Sequence, residues 1–390
     1  MEFSNHHMMS SGGSTFYKIW IMSTLLGSSQ EITEDHLNDF TKILSLENNV
    51  LSGEIPKRLK NVSNVIARSG KSKEFQKLTP KECLPWLQKH VPEAEKQFQE
   101  ILKEHGHRGI MEFDMYYEPW SLNPTPLLEA LQSTSHMELT NTERGEVNIK
   151  NLINSLKTPK SFISKLFLRY LIPKLQSCIR SREFTKSALI LVGHKFRLAF
   201  RHLGYLLEKE GKLPNANLIF FLTKYELNEL IHENKTELLE KAARRQKLYP
   251  QLNKITYEEY NYGRPEPIPD VISTIDLESD CTLKGTAVYP GLIQGRACVI
   301  TDISQAHLIQ PNDILITTAT DVGWSPYFPM ISGLVTEIGG LISHGAVIAR
   351  EYGIPCVIGV KGATRMFATD NQLILDANKG NISRVITKDQ

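Results

Sequence analysis

The sequence predicts a multi-domain chain of the α plus α/β class, a mostly helical region over residues 31–260 followed by a compact α/β region over 283–390. Three observations predict it. Helix-start punctuation recurs through the first two-thirds, and short β-branched runs bounded by Gly, Pro and Asp take over after Leu283. Between them, residues 261–282 crowd three prolines with acidic residues and lose apolar periodicity, which reads as an interdomain linker able to act as a hinge.

The elements follow in order. Residues 1–30 start polar, with Gly and Ser and no periodicity, and are expected to be a poorly ordered N-terminus. Thr79-Pro80-Lys81-Glu82 joins an N-cap, a first-turn proline and a capping-box acid. Pro92 opens a helix running through Phe98, Ile101 and Leu102, with Gly106 at the position of a left-handed C-cap. A long helix is expected from Arg182 to about Glu210, with Leu189, Val192, Phe196, Ala199, Leu203 and Leu206 as its core-facing stripe. Thr223 and Glu226 repeat the capping-box spacing. Strands are expected at 286–289, 297–301, 313–318, 333–336, 356–360, 372–376 and 382–386, with short helical pieces at 304–308, 326–331 and 344–352. There is no internal repeat.

Charge narrows the function. With 45 Lys+Arg against 43 Asp+Glu, the net +2 provides no general field for a polyanion, so a nucleic-acid partner is not expected and phosphate handling must be local. Five scattered cysteines with no C-x-x-C pair read as reduced thiols rather than a disulfide framework. The apolar run Phe16–Leu26 is interrupted by Lys18 and too short to span a bilayer, so no membrane association is expected. The sequons at Asn61, Asn234 and Asn381 have no secretory context, and the chain reads as cytoplasmic.

Chemistry concentrates in TEIGGLISHGAVIAREYGIPCVIGV, residues 336–360. A strand ends at Thr336, Gly339 and Gly340 allow a close turn, and Ser343 and His344 begin a short helix stopped by Gly353 and Pro355. A histidine in a helix's first turn is well placed to carry a phosphoryl group, because free N–H donors and the helix dipole favour an anion there. Gly345 and Ala346 are small enough to let phosphate approach the backbone, while Ser343 and Thr336 can hydrogen-bond it or orient the ring. Capping explains Ser343 equally well.

This segment resembles the phosphohistidine segment of the swivelling domain shared by phosphoenolpyruvate synthase, pyruvate phosphate dikinase and rifampicin phosphotransferase. Gly339, Gly340, Ser343, His344, Ala349, Arg350, Gly353, Ile354, Pro355 and Val357 match in order. Residues 285–300 are similar to that family's opening hairpin, and Thr320-Asp321-Val322-Gly323-Trp324 to a loop of its rifampicin phosphotransferase branch. Gly106-His107-Arg108-Gly109 with Glu112 and Trp120, and Arg182-Glu183 followed by Gly204, Gly211 and residues 220–223, are similar to its helical middle domain. The resemblance implies a swivelling β/β/α phosphohistidine domain after a helical acceptor domain. It also implies a phosphotransferase carrying a phosphoryl group on His344 from ATP to pyruvate or another small-molecule acceptor.

Two further clusters bear on this. Arg182, Lys186 and Arg197 fall within about 60° of arc on the long helix. Such a row can bind phosphate or simply be a solvated face, and the resemblance favours phosphate for Arg182 and Lys186. His105-x-His107 is a poor ligand set, a helix end beside an Arg108–Glu112 pair, and no metal site is expected. The chain shows no nucleotide-cradling Gly-rich loop, and an ATP-grasp domain needs on the order of 200 residues of its own. The expected partner is therefore an ATP-grasp domain, missing from this chain in cis or supplied in trans, which would hold ATP and Mg; this chain itself would bind no cofactor. The alternative is a non-catalytic phosphohistidine-domain relic or ligand-binding module.

Overall fold

A computed structural model describes residues 2–44, 46, 51–135, 148–159, 161–233, 235–252, 255, 257, 261–267, 282–341 and 343–385. It has an N-terminal helical region and a C-terminal mixed sheet. The expected linker lies largely outside the described residues. The chain forms two compact units, one of Met1–Glu112, Glu118–Ile190 and Glu278–Gln390, the other of Phe113–Tyr117 and Leu191–Leu277. These boundaries do not follow a division into 31–260 and 283–390. The first unit unites the sheet with the helices that cover it.

The first unit contains α1 (Glu2–Leu26), α2 (Glu34–Leu44), α3 (Leu51–Arg68), α4 (Ser72–Phe75), α5 (Pro80–His90), α6 (Pro92–His105), α7 (Thr125–Thr134) and α8 (Ile149–Ser155). Residues expected to be poorly ordered thus form α1, whose Ile21 and Leu25 are buried with Phe40 and Ile43 of α2. α5 starts as its punctuation predicts, with Thr79 N donating to Glu82 Oε2 at 2.8 Å. α6 buries Ala94, Phe98, Ile101 and His105, one face at helical spacing. Gly106 is right-handed (φ −62) rather than left-handed. Glycine is required there by space, since a Cβ would lie 2.1 Å from the Leu102 carbonyl oxygen and 2.9 Å from Ser121.

α9 (Phe162–Lys209) begins twenty residues earlier than predicted. The expected stripe is not its buried face: Val192, Phe196 and Leu206 are exposed, while Ile190, His194, Arg197 and Leu207 are buried. Arg197 takes an inward position because its guanidinium donates to the Asp114 carbonyl at 2.9 Å, so a hydrogen bond rather than apolarity orients this half of the helix. The second unit continues with a 3-10 turn (Ala216–Phe221), α10 (Lys224–Glu233) and α11 (Glu237–Leu252), which enclose Leu213, Leu218, Leu230 and Ala242.

The sheet has eight strands: β1 (Thr282–Lys284), β2 (Thr286–Tyr289), β3 (Leu292–Val299), β4 (Ile314–Thr317), β5 (Gly333–Thr336), β6 (Cys356–Ile358), β7 (Gln372–Asp376) and β8 (Asn381–Arg384). Their order is β1-β8-β7-β3-β4-β5-β6-β2. β3, β4, β5 and β6 run parallel, and all other pairings are antiparallel. The central strands are buried throughout because both faces are covered. Leu315, Leu334 and Ile358 meet Phe328, Ile348 and Ala349 on one face. On the other, Ile316, Val335 and Val357 meet Phe367, Leu373 and Leu375. α12 (His344–Tyr352) and the short α13 (Ala363–Met366) complete the layer. α12 spans the residues predicted, and a 3-10 helix (Val322–Met330) replaces the piece expected at 326–331.

Candidate active site

His344 is half-buried in the first turn of α12. The turn sits there because the parallel β5–α12–β6 unit places a loop and a helix N-terminus beyond the carboxyl end of β5, where α/β sheets gather ligands. Gly339 has φ +147, a conformation that disfavours side chains, and bends the loop back so that Ser343 comes close. Gly353 ends the helix in a left-handed C-cap. Ala346, Ile348 and Ala349 anchor α12 to the sheet core, whereas Val347 packs with α1, α2 and α9 residues.

The imidazole is held from two sides. Its Nε2 lies 3.3 Å from the hydroxyl of fully buried Ser325, and its ring meets Phe328 edge-on with centroids 5.9 Å apart. Gly345 packs against the loop before that 3-10 helix, and a Cβ there would lie 2.5 Å from Thr320 Oγ1. The small residue therefore admits Thr320 rather than leaving open space. Ser343 does not cap with its side chain, which frees the hydroxyl, while its carbonyl accepts from Val347 N at 3.0 Å. Thr336 Oγ1 is buried with no hydrogen-bond partner among the described residues. Such an orphan is costly in a finished core and ordinary where a ligand supplies the partner.

Charge gathers around this histidine from remote parts of the chain. Burial first, then the charges of Lys186 and Arg108, hold the His344 pKa well below the ordinary imidazole value of 6.5, so the neutral ring is favoured. Arg108 forms a buried pair with Glu112, with Nη2 donating to Oε2 at 3.2 Å, and Lys186 Nζ lies 3.8 Å from the same carboxylate. His107 Nε2 is 3.2 Å from Ser187 Oγ, a second tie between this loop and α9. Asp321 accepts from Met111 N at 3.1 Å and Gly323 N at 2.9 Å. Its pKa is raised by burial and by Glu112, against the pull of those amides and Lys186.

Of the residues singled out in the sequence, His344, Ser343, Gly345, Thr336 and Lys186 come together in the first unit. Arg182 instead donates to its neighbour Glu183 at 2.7 Å, and Arg197 belongs to the second unit. Arg108 and Asp321 lie in stretches that stand out in the sequence only as motif resemblances, and Ser325 lies in none of the motifs read from the sequence. Neither spacing nor periodicity links residue 108 to residue 344. A polar cleft of about 760 Å³ is lined by α3 and α6 and includes none of these groups.

The sequence model of the rifampicin phosphotransferase fourth domain matches residues 7–183, and that of the PEP-utilising enzyme mobile domain matches 309–380. A rifampicin phosphotransferase of Bacillus cereus is 31% identical over 304 residues, covering 72% of this chain and 33% of that protein. One from Streptomyces sviceus is 29% identical over 305 residues, covering 74% and 34%. The prodigiosin synthesizing transferase PigC of Serratia marcescens is 26% identical over 297 residues, covering 74% and 33%. The chain thus spans about a third of the length of the curated relatives it matches. Among solved structures, Thermococcus kodakaraensis aconitase X aligns over 27% of this chain and 99% of its own, with 16% identity and a TM-score of 0.21, too low to bear on the fold. With a fourth-domain match over its helices, a mobile-domain match over its sheet and a 31% identical relative, the chain belongs to the PEP-utilising, rifampicin phosphotransferase-like family.

Proposed function

We propose that the chain is the phosphohistidine-bearing part of a phosphotransferase that relays a phosphoryl group on His344 from ATP to a hydroxyl-bearing small-molecule acceptor. The observation that carries this reading is a neutral, half-buried histidine at a helix N-terminus with Lys186 and Arg108 beside it. A neutral ring is nucleophilic, and the two cations balance the charge it would acquire.

In this reading Ser325 donates its hydroxyl to Nε2 at rest and turns away when the donor arrives, the proton stays on Nδ1, and the freed Nε2 lone pair attacks phosphorus in line as the P–O bond to the ATP fragment breaks. Ser343, Thr336 and the first-turn amides of α12 then receive the phosphoryl oxygens. In the second step the acceptor oxygen bonds to phosphorus, the P–N bond breaks, the ring regains its neutral form and the hydroxyl proton is lost to water. ATP and Mg would be held by an ATP-grasp domain in cis or in trans. The sheet layer would swivel between the two stations in a cytoplasmic protein. Pyruvate is one acceptor class. The relatives named for rifampicin and prodigiosin favour a bulkier compound. Among the described residues no helix is long and apolar enough to cross a membrane.

The test is intact mass and acid-labile phosphate on the chain, with and without an added ATP-grasp domain and Mg-ATP. A labile adduct of about 80 Da, one HPO₃ group on a histidine nucleophile, is expected only with the donor and only while His344 is present. No adduct with any donor would leave a non-catalytic relic of the fold.

A further inference from the structure

Away from His344, three potential ligand groups converge where the start of α3 meets the end of α6. One donor atom from each of Glu54, Glu104 and His105 lies within 4.8 Å of the other two. Two carboxylates alone are commonplace, but the third group is not. The His105 side chain is only 4% exposed, yet its Nε2 has no hydrogen-bond partner among the described residues and lies 3.7 Å from Glu54 Oε2, beyond hydrogen-bond reach. An imidazole nitrogen buried and left unsatisfied beside a carboxylate is what a metal ligand looks like without its ion.

Arg58 strengthens this reading. Its guanidinium donates to Glu54 Oε1 from Nε at 2.9 Å and from Nη2 at 2.5 Å, and its Nη2 pairs with Glu104 Oε2 at 2.6 Å. It thereby orients both carboxylates while leaving Glu54 Oε2 turned to His105. Outer-shell donors commonly position metal-ligating carboxylates in this way. Burial lowers the His105 pKa, so the ring is neutral and ready to ligate at ordinary pH. His105 also occupies the last turn of α6, where the carbonyl end of the helix favours a cation. A polar cleft of about 760 Å³ is lined by Glu104 and by the Arg58 that holds both carboxylates.

We propose that Glu54, Glu104 and His105 form a binding site for one divalent transition-metal ion, zinc first, with water completing the coordination. One imidazole and two carboxylates suit zinc or manganese better than calcium or magnesium, and three protein ligands leave an open position. The site would clamp α3 to α6 three residues before Arg108 and so steady the loop that brings Arg108 to His344. It departs from the sequence expectation of no metal because Glu54 lies 51 positions from His105 and has no motif to announce it.

The test uses the 390-residue chain, stripped with a chelator and titrated with zinc chloride by calorimetry, with metal content measured after gel filtration. One equivalent per chain is expected, and Glu54→Gln and His105→Gln should each weaken binding by more than about tenfold. Cobalt substitution provides a second readout, a visible absorption band of low-symmetry coordination that disappears in Glu54→Gln. Because His105 is buried, Glu104→Ala at a half-exposed side chain serves as the variant least apt to disturb folding. The proposal is overturned if no stoichiometric binding occurs, or if zinc binds the Glu54→Gln and Glu104→Ala chains as tightly as the parent. The latter result would assign the ion to a different part of the chain.

Discussion

Glu226 and Asp321 are both acids at the start of a helix, one in each compact unit, and their surroundings push them in opposite directions. Glu226 accepts from Thr223 N at 2.8 Å and Arg245 Nη1 at 2.6 Å, and pairs with Lys241 at 2.5 Å, so its pKa is held far below the usual carboxylate range. Asp321 has two backbone amides but no bonded cation, and burial with Glu112 nearby raises its pKa. The first arrangement is complete in itself and stabilises a fold. The second keeps charge where the fold alone gains little from it, beside Glu112 and beside Lys186, one of the cations that act on His344. Cost of this kind collects at reaction centres.

The sharpest break of the comparison is His344→Asn, which should abolish acid-labile phosphate while leaving the far-UV spectrum intact; retained labile phosphate would move the nucleophile elsewhere. Next is Lys186→Met, expected to slow phosphoryl transfer about 10²–10³-fold, the usual loss of one charge-stabilising group. It should also raise the His344 pKa toward 6.5 and so move the acid limb of the pH profile upward, since a neighbouring cation no longer opposes protonation. A slowed enzyme with an unmoved acid limb would deny Lys186 its electrostatic role.

Glu226→Ala should cost about 1–3 kcal/mol, read as a lower urea midpoint, because Arg245 and Lys241 lose their common acceptor. Phosphorylation of His344 should not change, and a parallel loss of both would erase the distinction drawn here. Acidification should reveal the histidines together. His105, His194 and His344 all have pKa values lowered chiefly by burial, so below about pH 6.5 the unfolded chain takes protons that the folded one refuses. Stability is then full above that pH and falls as pH drops, by up to about 1.4 kcal/mol per unit for each group. A urea midpoint flat from pH 7.5 to about 5.5 would contradict this.

Asp321 acts in the other sense. Its folded pKa is raised, so the folded state binds its proton first and gains stability as pH falls through the window above 3.8. Asp321→Asn removes the buried charge but leaves an acceptor for only one of the two amides, since Met111 N bonds Oδ2 and Gly323 N bonds Oδ1, so its neutral-pH stability should fall by about 1–3 kcal/mol. A larger loss would mean that the charge itself holds the 3-10 helix.

Local signals carried far in this sequence. The span of α12, the glycines around it and the boxes at Thr79 and Thr223 are short-range steric and hydrogen-bond effects, and each could be read from a few neighbours. The strands are likewise visible as short apolar runs, but because Leu315 and Ile316, or Leu334 and Val335, are apolar on both sides, the runs do not tell one face of the sheet from the other. What stayed hidden depends on partners remote in the chain. Arg197 turns inward to reach Asp114, which rotates the buried face of α9 away from its most apolar row. Arg108 and Lys186 come near His344, and Asp321 reaches Met111, through tertiary packing that no periodicity encodes. Resemblance could point to these stretches without showing which side chains converge.

At the far end of α12, Tyr352 donates to the Gly53 carbonyl at 3.1 Å, and the Glu351 carboxylate fills the space above Gly53, 1.6 Å from where a Cβ would stand. Gly53 thus works as a parking bay for the helix that carries the histidine. Any journey of that helix away from Arg108 must vacate the bay, whereas a methyl group placed there need only turn aside the flexible end of Glu351. Departure would break the Tyr352–Gly53 hydrogen bond while leaving every group around the imidazole chemically unchanged.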